Sequence, residues 1–251
     1  MKTALITGAT SGIGYATAKL FAENNFNLIL TGRRKDRLIE LKNNLTQKSV
    51  KIEILNFDIQ NKTEVYNAID GLPDDLKKID ILVNNAGLAL GLSKIQDGDE
   101  ADWEQMINTN VKGLLYITKK VSQLMIKNNS GHIVNIGSIA GKEVYPFGNV
   151  YCATKHAVDA LTKGMRIDLL ENNIKVTSID PGMVNTEFST VRFHGDKQKA
   201  DNVYKGFTPL YADDIAETIL FVVTRPKHVN INDLIIMPTA QANATTVNKK
   251  N

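Results

Sequence analysis

The stretch from Asn135 to Lys155, NIGSIAGKEVYPFGNVYCATK, brings a hydroxyl, a phenol and an ammonium close together along the chain. Tyr151 and Lys155 are four residues apart, so on a helix they share one face, a turn from each other. A phenol gives up its proton only near pH ~10. A cation held within ~4–6 Å favours the phenolate and lowers that value, and Lys155 is expected to supply it. Ser138 lies just past an apolar run, His132–Ile136, and can donate to an oxygen as negative charge grows on it. Together the three would exchange a proton with a carbonyl or carbinol oxygen. Taken alone, a Tyr-x-x-x-Lys pair is common on surface helices and a serine after a strand is usually a turn residue. The remaining chain must supply the reason for them to meet.

The elements that would position them follow from patterning. Thr3–Thr7, Phe26–Thr31, Val50–Phe57, Ile79–Val83, His132–Ile136, Ile174–Ile179 and Ile231–Met237 are short apolar runs without a polar face, as buried parallel strands require. Between them lie helical patterns: one after Gly14, then Lys35–Gln47, Lys62–Ile69, about 102–127, a helix bearing Tyr151 that runs to about Glu171, and Asp213–Thr224. Seven strands alternating with helices give an α/β, Rossmann-type doubly wound fold, a seven-stranded parallel sheet with helices on both faces. The chain, 1–251, is expected to form one domain. In such sheets ligands bind at the carboxyl ends of the strands. Gly8, Gly32, Asp58, Asn85, Ser138 and Pro181 all follow strand ends, so one edge gathers the distant pieces.

Gly8-Ala9-Thr10-Ser11-Gly12-Ile13-Gly14 joins the first strand to the first helix. Free N–H groups and the helix dipole there favour phosphate, and the glycines let backbone approach a pyrophosphate. The second strand ends in Thr31-Gly32-Arg33-Arg34. No acid stands there to bond a ribose 2′-hydroxyl, whereas guanidinium groups suit a 2′-phosphate. The cofactor expected is therefore NADP rather than NAD. Asp58 and Ile59 mark a strand end where an adenine can rest. Asn84-Asn85-Ala86-Gly87 leaves room for a ligand, with Asn side chains able to pin loops. Asn110 falls inside a helix, where its amide competes with the backbone, and marks a local distortion. Residues 184–208 are polar and irregular, the length of a lid or substrate loop. The tail 248–251 is expected to fray.

The net charge of +3, with acids and bases interspersed, argues against nucleic acid as a partner. No apolar run approaches the ~18–20 residues that span a bilayer, and the N-terminus lacks a signal-peptide pattern, so no membrane association and a cytoplasmic location are expected. The single cysteine, Cys152, can form no internal disulfide and is expected to pack rather than react. No metal is expected.

With these pieces in place, the chain resembles the short-chain dehydrogenase/reductase family from Thr3 to about Pro238. The resemblance implies that Thr7 to Gly14 hold the cofactor and that Asn84–Gly87 stabilise the sheet, with the Asn85 backbone near the adenine ribose. Ser138 would orient the substrate, Tyr151 would pass the proton, and Lys155 would bind the nicotinamide ribose. Asn110 would hold a water in a relay to that lysine. Pro181, Gly182, Val184 and Thr186 would line the nicotinamide. The segments NNAGLALG, GHIVNIGSIAG, GNVY and TEFSTVRFHGD look like the NADP-dependent 3-hydroxy acid dehydrogenases, including those named for serine or L-allo-threonine oxidation. That likeness implies a small 3-hydroxy acid as substrate, converted to a 3-oxo acid, and a homotetramer built partly on the Tyr151 helix. Arg192 then either meets a substrate carboxylate or is a surface arginine. The rival readings are a broader NADPH-dependent carbonyl reductase and a cofactor-binding regulator without turnover.

Overall fold

The computed structural model describes residues 1–45 and 49–250; Thr46 and Gln47, at the expected end of the second helix, and Asn251, at the end of the expected tail, lie outside the described residues. In chain order the elements are β1 (Thr3–Ile6), α1 (Gly12–Glu23), β2 (Asn27–Gly32), α2 (Lys35–Leu45), β3 (Ile52–Asn56), α3 (Lys62–Asp70) and β4 (Ile81–Asn84). They continue with α4 (Glu100–Ile107), α5 (Leu114–Lys127), β5 (Gly131–Ile136), α6 (Asn149–Asp168), β6 (Ile174–Pro181), β7 (Val184–Asn185) and α7 (Phe188–Arg192). The last are α8 (Lys197–Val203), β8 (Leu210–Tyr211), α9 (Ala212–Val223) and β9 (Asp233–Ile236).

The main sheet has seven strands in the order β3-β2-β1-β4-β5-β6-β9, all parallel. The chain winds outward from β1 through β2 and β3, then returns to lay β4 on the other side of β1. That reversal opens a crevice above the carboxyl ends of β1 and β4. Both faces of the sheet are covered, which is why the strands carry apolar residues throughout. Alternate strand residues bury in opposite directions. Ala4, Ile6, Leu28 and Leu30 join Phe21 of α1, Leu38 and Leu41 of α2, and Ile215 and Ile219 of α9. Leu5 and Ile29 join Val65 of α3, Ile117 and Val121 of α5, and Val158 of α6.

Three expectations are modified. The helix drawn over about 102–127 is interrupted by a π-helical turn, Asn108–Gly113, which widens the helix where Asn110 points inward. Residues 184–208 are more regular than their polarity implied: β7 pairs in parallel with β8, and α7 and α8 lie between. The tail is tied down as far as Lys250, because Asn248 N–H donates to Ala240 O (2.8 Å) and Lys250 N–H to Gly206 O (2.8 Å). Among the described residues no helix is long and apolar enough to cross a membrane.

Candidate active site

The turn between β1 and α1 depends on two close approaches. Gly8 sits at φ +67°, the left-handed region. A Cβ on Gly14 would lie 2.5 Å from both the Gly8 carbonyl oxygen and Asn85 Nδ2. Asn85 pins this turn by donating from Nδ2 to Thr7 O (2.8 Å) and Gly8 O (3.2 Å). Thr7 returns the tie: its hydroxyl oxygen accepts from the N–H groups of Asn85 and Ala86, both at 3.0 Å. Ser11, at the start of α1, makes no side-chain cap bond, so N–H groups of the first helical turn stay available to an anion.

Arg34 folds back over this turn. Its Nε and Nη2 donate to the Thr10 hydroxyl (3.1 and 2.8 Å), and Nη2 also reaches Ser11 Oγ (2.7 Å). Its Nη1 pairs with Glu187 Oε2 at 2.8 Å, while Arg37 Nη1 takes the other oxygen at 2.7 Å. Glu187 thus bridges two arginines of the α2 start. Burial raises its pKa, but Arg34 and Arg37 outweigh that and hold it below the ordinary value. Arg33 is half exposed, 3.6 Å from Asp58.

From the Gly8 turn the cleft runs to α6, enclosing a cavity of about 620 Å³. Ser138 follows β5; its hydroxyl oxygen accepts from Ala140 N–H (3.1 Å). Tyr151 and Lys155 lie buried on the inward side of α6. Lys155 Nζ donates to Ile136 O at 2.8 Å and lies 5.9 Å from the Tyr151 ring centre. All three line the same cavity as Gly8, Thr10, Ser11, Gly12, Ile13, Arg33, Arg34, Asp58, Ile59, Asn85, Ala86, Gly87, Pro181, Gly182, Val184, Thr186 and Arg192.

Three expected site residues stand behind its wall. Ala9 is fully buried, Gly14 packs against the turn, and Asn110 clamps Leu88. The Asn110 amide accepts from Leu88 N–H (2.9 Å) and donates to Leu88 O (2.8 Å) and the Thr154 hydroxyl (3.1 Å).

The electrostatics correct one expectation. Tyr151 is not lowered by Lys155. Burial, reinforced by Tyr145, pushes the phenol well above its ordinary value, and the opposing pulls come from Arg192 and a hydrogen bond with Ser138. Lys155 is drawn down to about 8 by the same burial, with the Asp180 carboxylate opposing. Desolvation penalises the charged form of each group, so it moves them in opposite directions.

Arg192, on α7, reaches into the cavity. It donates to the Tyr145 hydroxyl and its guanidinium carbon lies 5.1 to 5.6 Å from the ring centres of Tyr151, Tyr145 and Phe188. Among the described residues no carboxylate pairs with it, and its buried Nε has no hydrogen-bond partner. A guanidinium held by aromatic faces with a free donor has the chemistry to pair with a small anion. Tyr145, Asp180 and Glu187 are participants that the sequence did not single out. Their partners are 47, 42 and 153 residues away, for Tyr145 with Arg192, Asp180 with Ser138 and Glu187 with Arg34, so no local spacing marks them.

Comparison with known proteins gives the arrangement its relatives. The family model described as short chain dehydrogenase matches residues 2–197. The chain is 46% identical over 239 residues to sulfoacetaldehyde reductase 2 of Chromohalobacter salexigens, covering 95% of this chain and 94% of the relative. It is 45% identical over 251 residues to the NADP-dependent 3-hydroxy acid dehydrogenase of Schizosaccharomyces pombe, covering 99% and 97%. Among solved structures, the closed form of serine dehydrogenase complexed with NADP+ superposes with a TM-score of 0.94 at 43% identity, covering 99% of this chain and 100% of that one.

Proposed function

The chain belongs to the short-chain dehydrogenase/reductase family, and from that premise we propose that it is an NADP-dependent oxidoreductase interconverting a small 3-hydroxy acid and its 3-oxo acid. The observation that carries this reading is the shared cavity: Ser138, Tyr151 and Lys155 face the same space as the glycine turn and a carboxylate-free Arg192.

The cleft fits NADP on its own donor set: a glycine cradle that a methyl group would fill, a helix start without a side-chain cap, and guanidinium groups at the mouth. The backbone of Gly8 to Gly14 would hold the pyrophosphate, Arg33 and Arg34 the 2′-phosphate, and Asp58 and Ile59 the adenine. Asn85, Ala86, Gly87 and Lys155 would hold the riboses, and Pro181, Gly182, Val184 and Thr186 the nicotinamide. When bound, that cofactor supplies or accepts the hydride.

The protein's own groups handle the proton. Tyr151 donates it to the ketone oxygen in reduction and takes it from the carbinol in oxidation. The raised phenol is the protonated form that reduction needs. Arg192, 5.1 Å from the Tyr151 ring centre, and a hydrogen bond with Ser138 stabilise the phenolate in the other direction. Ser138 hydrogen-bonds the substrate oxygen, and Asn110 fixes the Leu88 backbone behind Gly87 and holds the relay to Lys155.

Arg192 would take the acid group of the substrate. The two relatives, named for a sulfonated aldehyde and for hydroxy acids, both act on compounds carrying such a group. A homotetramer built partly on α6 is part of this reading. Exposed Leu115 and Ile126 on α5 and Ile167 on α6 leave apolar surface for subunit contacts, and sedimentation velocity would give a species of four chains.

Absorbance at 340 nm decides between this and the broader carbonyl reductase. With NADP+, serine and 3-hydroxypropionate are expected to turn over. With NADPH, a neutral diketone is expected to be a poor substrate. A diketone preferred over every acid would transfer the protein to the broader class, and no turnover of any substrate with a bound cofactor would leave a regulator.

A further inference from the structure

Asp180 is the penultimate residue of β6, beneath the site, with 1% of its surface exposed. Its Oδ1 accepts from the Ser178 hydroxyl at 2.8 Å and from the Ser138 N–H at 3.3 Å. A Cβ added at Gly137 would collide with that oxygen, so the carboxylate is pressed against the chain between Ile136 and Ser138. Ile136 is the residue whose carbonyl accepts the Lys155 ammonium.

The second carboxylate oxygen lies 3.2 Å from Lys142 Nζ. Lys142 is shared with Asp159 and, at 3.6 Å, with Asp233, while Lys163 and Arg166 complete the pairing of those two acids. Three carboxylates thus face three cations. Burying a carboxylate is costly even when it is paired. An asparagine at this position would accept the same two hydrogen bonds from Ser178 and Ser138. The property that only aspartate adds is charge.

From this placement we propose that Asp180 is a positioning residue of the active site: its carboxylate clamps the Ser138 turn and sets a negative charge against the Ile136–Ser138 backbone on which the Lys155 ammonium rests. The role assigned to Lys155 under the proposed function is the premise. Lys155 and Arg192 both stand by the Tyr151 ring, Lys155 and the neutral Asn110 amide both lie near Gly87, and Lys142 pairs with Asp180. Among the described residues Asp180 is the one acid acting on Lys155, and it opposes the burial that draws that lysine down to about 8. Burial, with Asp159 adding to it, holds the Asp180 carboxyl above its ordinary value, while Ser178 and Lys142 pull toward the ionised form.

The test is a carbon NMR titration of the lysine ε-positions in the full chain, with Lys155 assigned by its loss in Lys155→Met. In Asp180→Asn the Lys155 midpoint should fall by roughly 0.5 pH unit or more. The alkaline limb of kcat/KM should fall with it. Asp180→Ser replaces it if the asparagine variant does not fold. Asp159→Asn, which removes an acid from the same cluster away from Ser138, should lower the melting temperature and leave the Lys155 midpoint in place. An unchanged midpoint in Asp180→Asn, with only stability lost, overturns the proposal. A midpoint that moves while the pH profile stays fixed upholds the action of Asp180 on Lys155 and removes Lys155 from the proton chemistry.

Discussion

The Arg192 guanidinium lies 5.1 Å from the ring centre of Tyr151, which sets the proposed anion receptor beside the proposed proton-transfer group. A substrate gripped there by its acid group has little room to place its reacting carbon elsewhere. The spacing suits a short acid and links binding to orientation.

Tyr151→Phe removes the proton that the proposed reaction needs while keeping the ring packed on Phe188. The kcat should fall by about 10²–10⁴-fold or more, with the dissociation constant for NADPH changed by no more than roughly threefold. Stopped-flow turnover and cofactor fluorescence measure the two. A kcat close to that of the unaltered protein would remove Tyr151 from the chemistry.

Arg192→Gln keeps a polar side chain and deletes the charge. The KM for a hydroxy acid should rise by roughly 10–100-fold, as expected for a lost charge-assisted pair, and that for a neutral diketone should not. Steady-state kinetics on both substrates give the answer, and an equal effect on the two would make Arg192 a structural arginine.

Replacing both Arg33 and Arg34 by alanine should weaken NADP by about tenfold or more and NAD far less. Calorimetric titration with each dinucleotide checks this. Equal losses would mean that the arginines hold the Thr10–Ser11 turn rather than a 2′-phosphate.

His132 supplies a pH dependence of stability. Burial, then the charges of Lys175 and Lys2, depress its imidazole to about 3 from 6.5. Its Nε2 is bonded to the Thr177 hydroxyl at 2.8 Å. Between those two values the unfolded chain binds the extra proton, so stability is fully present above 6.5 and is lost as pH falls toward 3. His132→Gln, which cannot titrate, should flatten that part of the acid limb in urea unfolding curves. An unaltered slope would show that other groups govern it.

The sheet and the glycine turn were legible because their signals are local. Apolar runs without a polar face mean strands covered on both sides, and Gly8, Gly12 and Gly14 mark a close approach within one turn. The helix distortion at Asn110 was legible for the same reason: a poor helix former stood in a helix interior. Residues 184–208 were misread because their polarity reflects exposure to the cleft, while α7 and α8 are held by contacts such as the Tyr204 hydroxyl with Ser189 (2.7 Å) and Val184 O (2.8 Å). The influence of Lys155 on Tyr151 was misjudged because i,i+4 spacing fixes a shared face but not the balance between burial and charge. Only the fold reveals that an arginine of α7, 41 positions further on, approaches the same ring.

The bridge from Glu187 to Arg34 and Arg37 joins the arm bearing Arg192 to the far side of the cleft, and its three side chains are each 43–45% exposed. Ions in the medium therefore reach it, and at ~0.15 M salt the screening distance is only about 8 Å. The grip of that arm is thus tuned by the solvent: brine loosens it and dilute buffer tightens it, so the rate at which a dinucleotide escapes should climb with ionic strength.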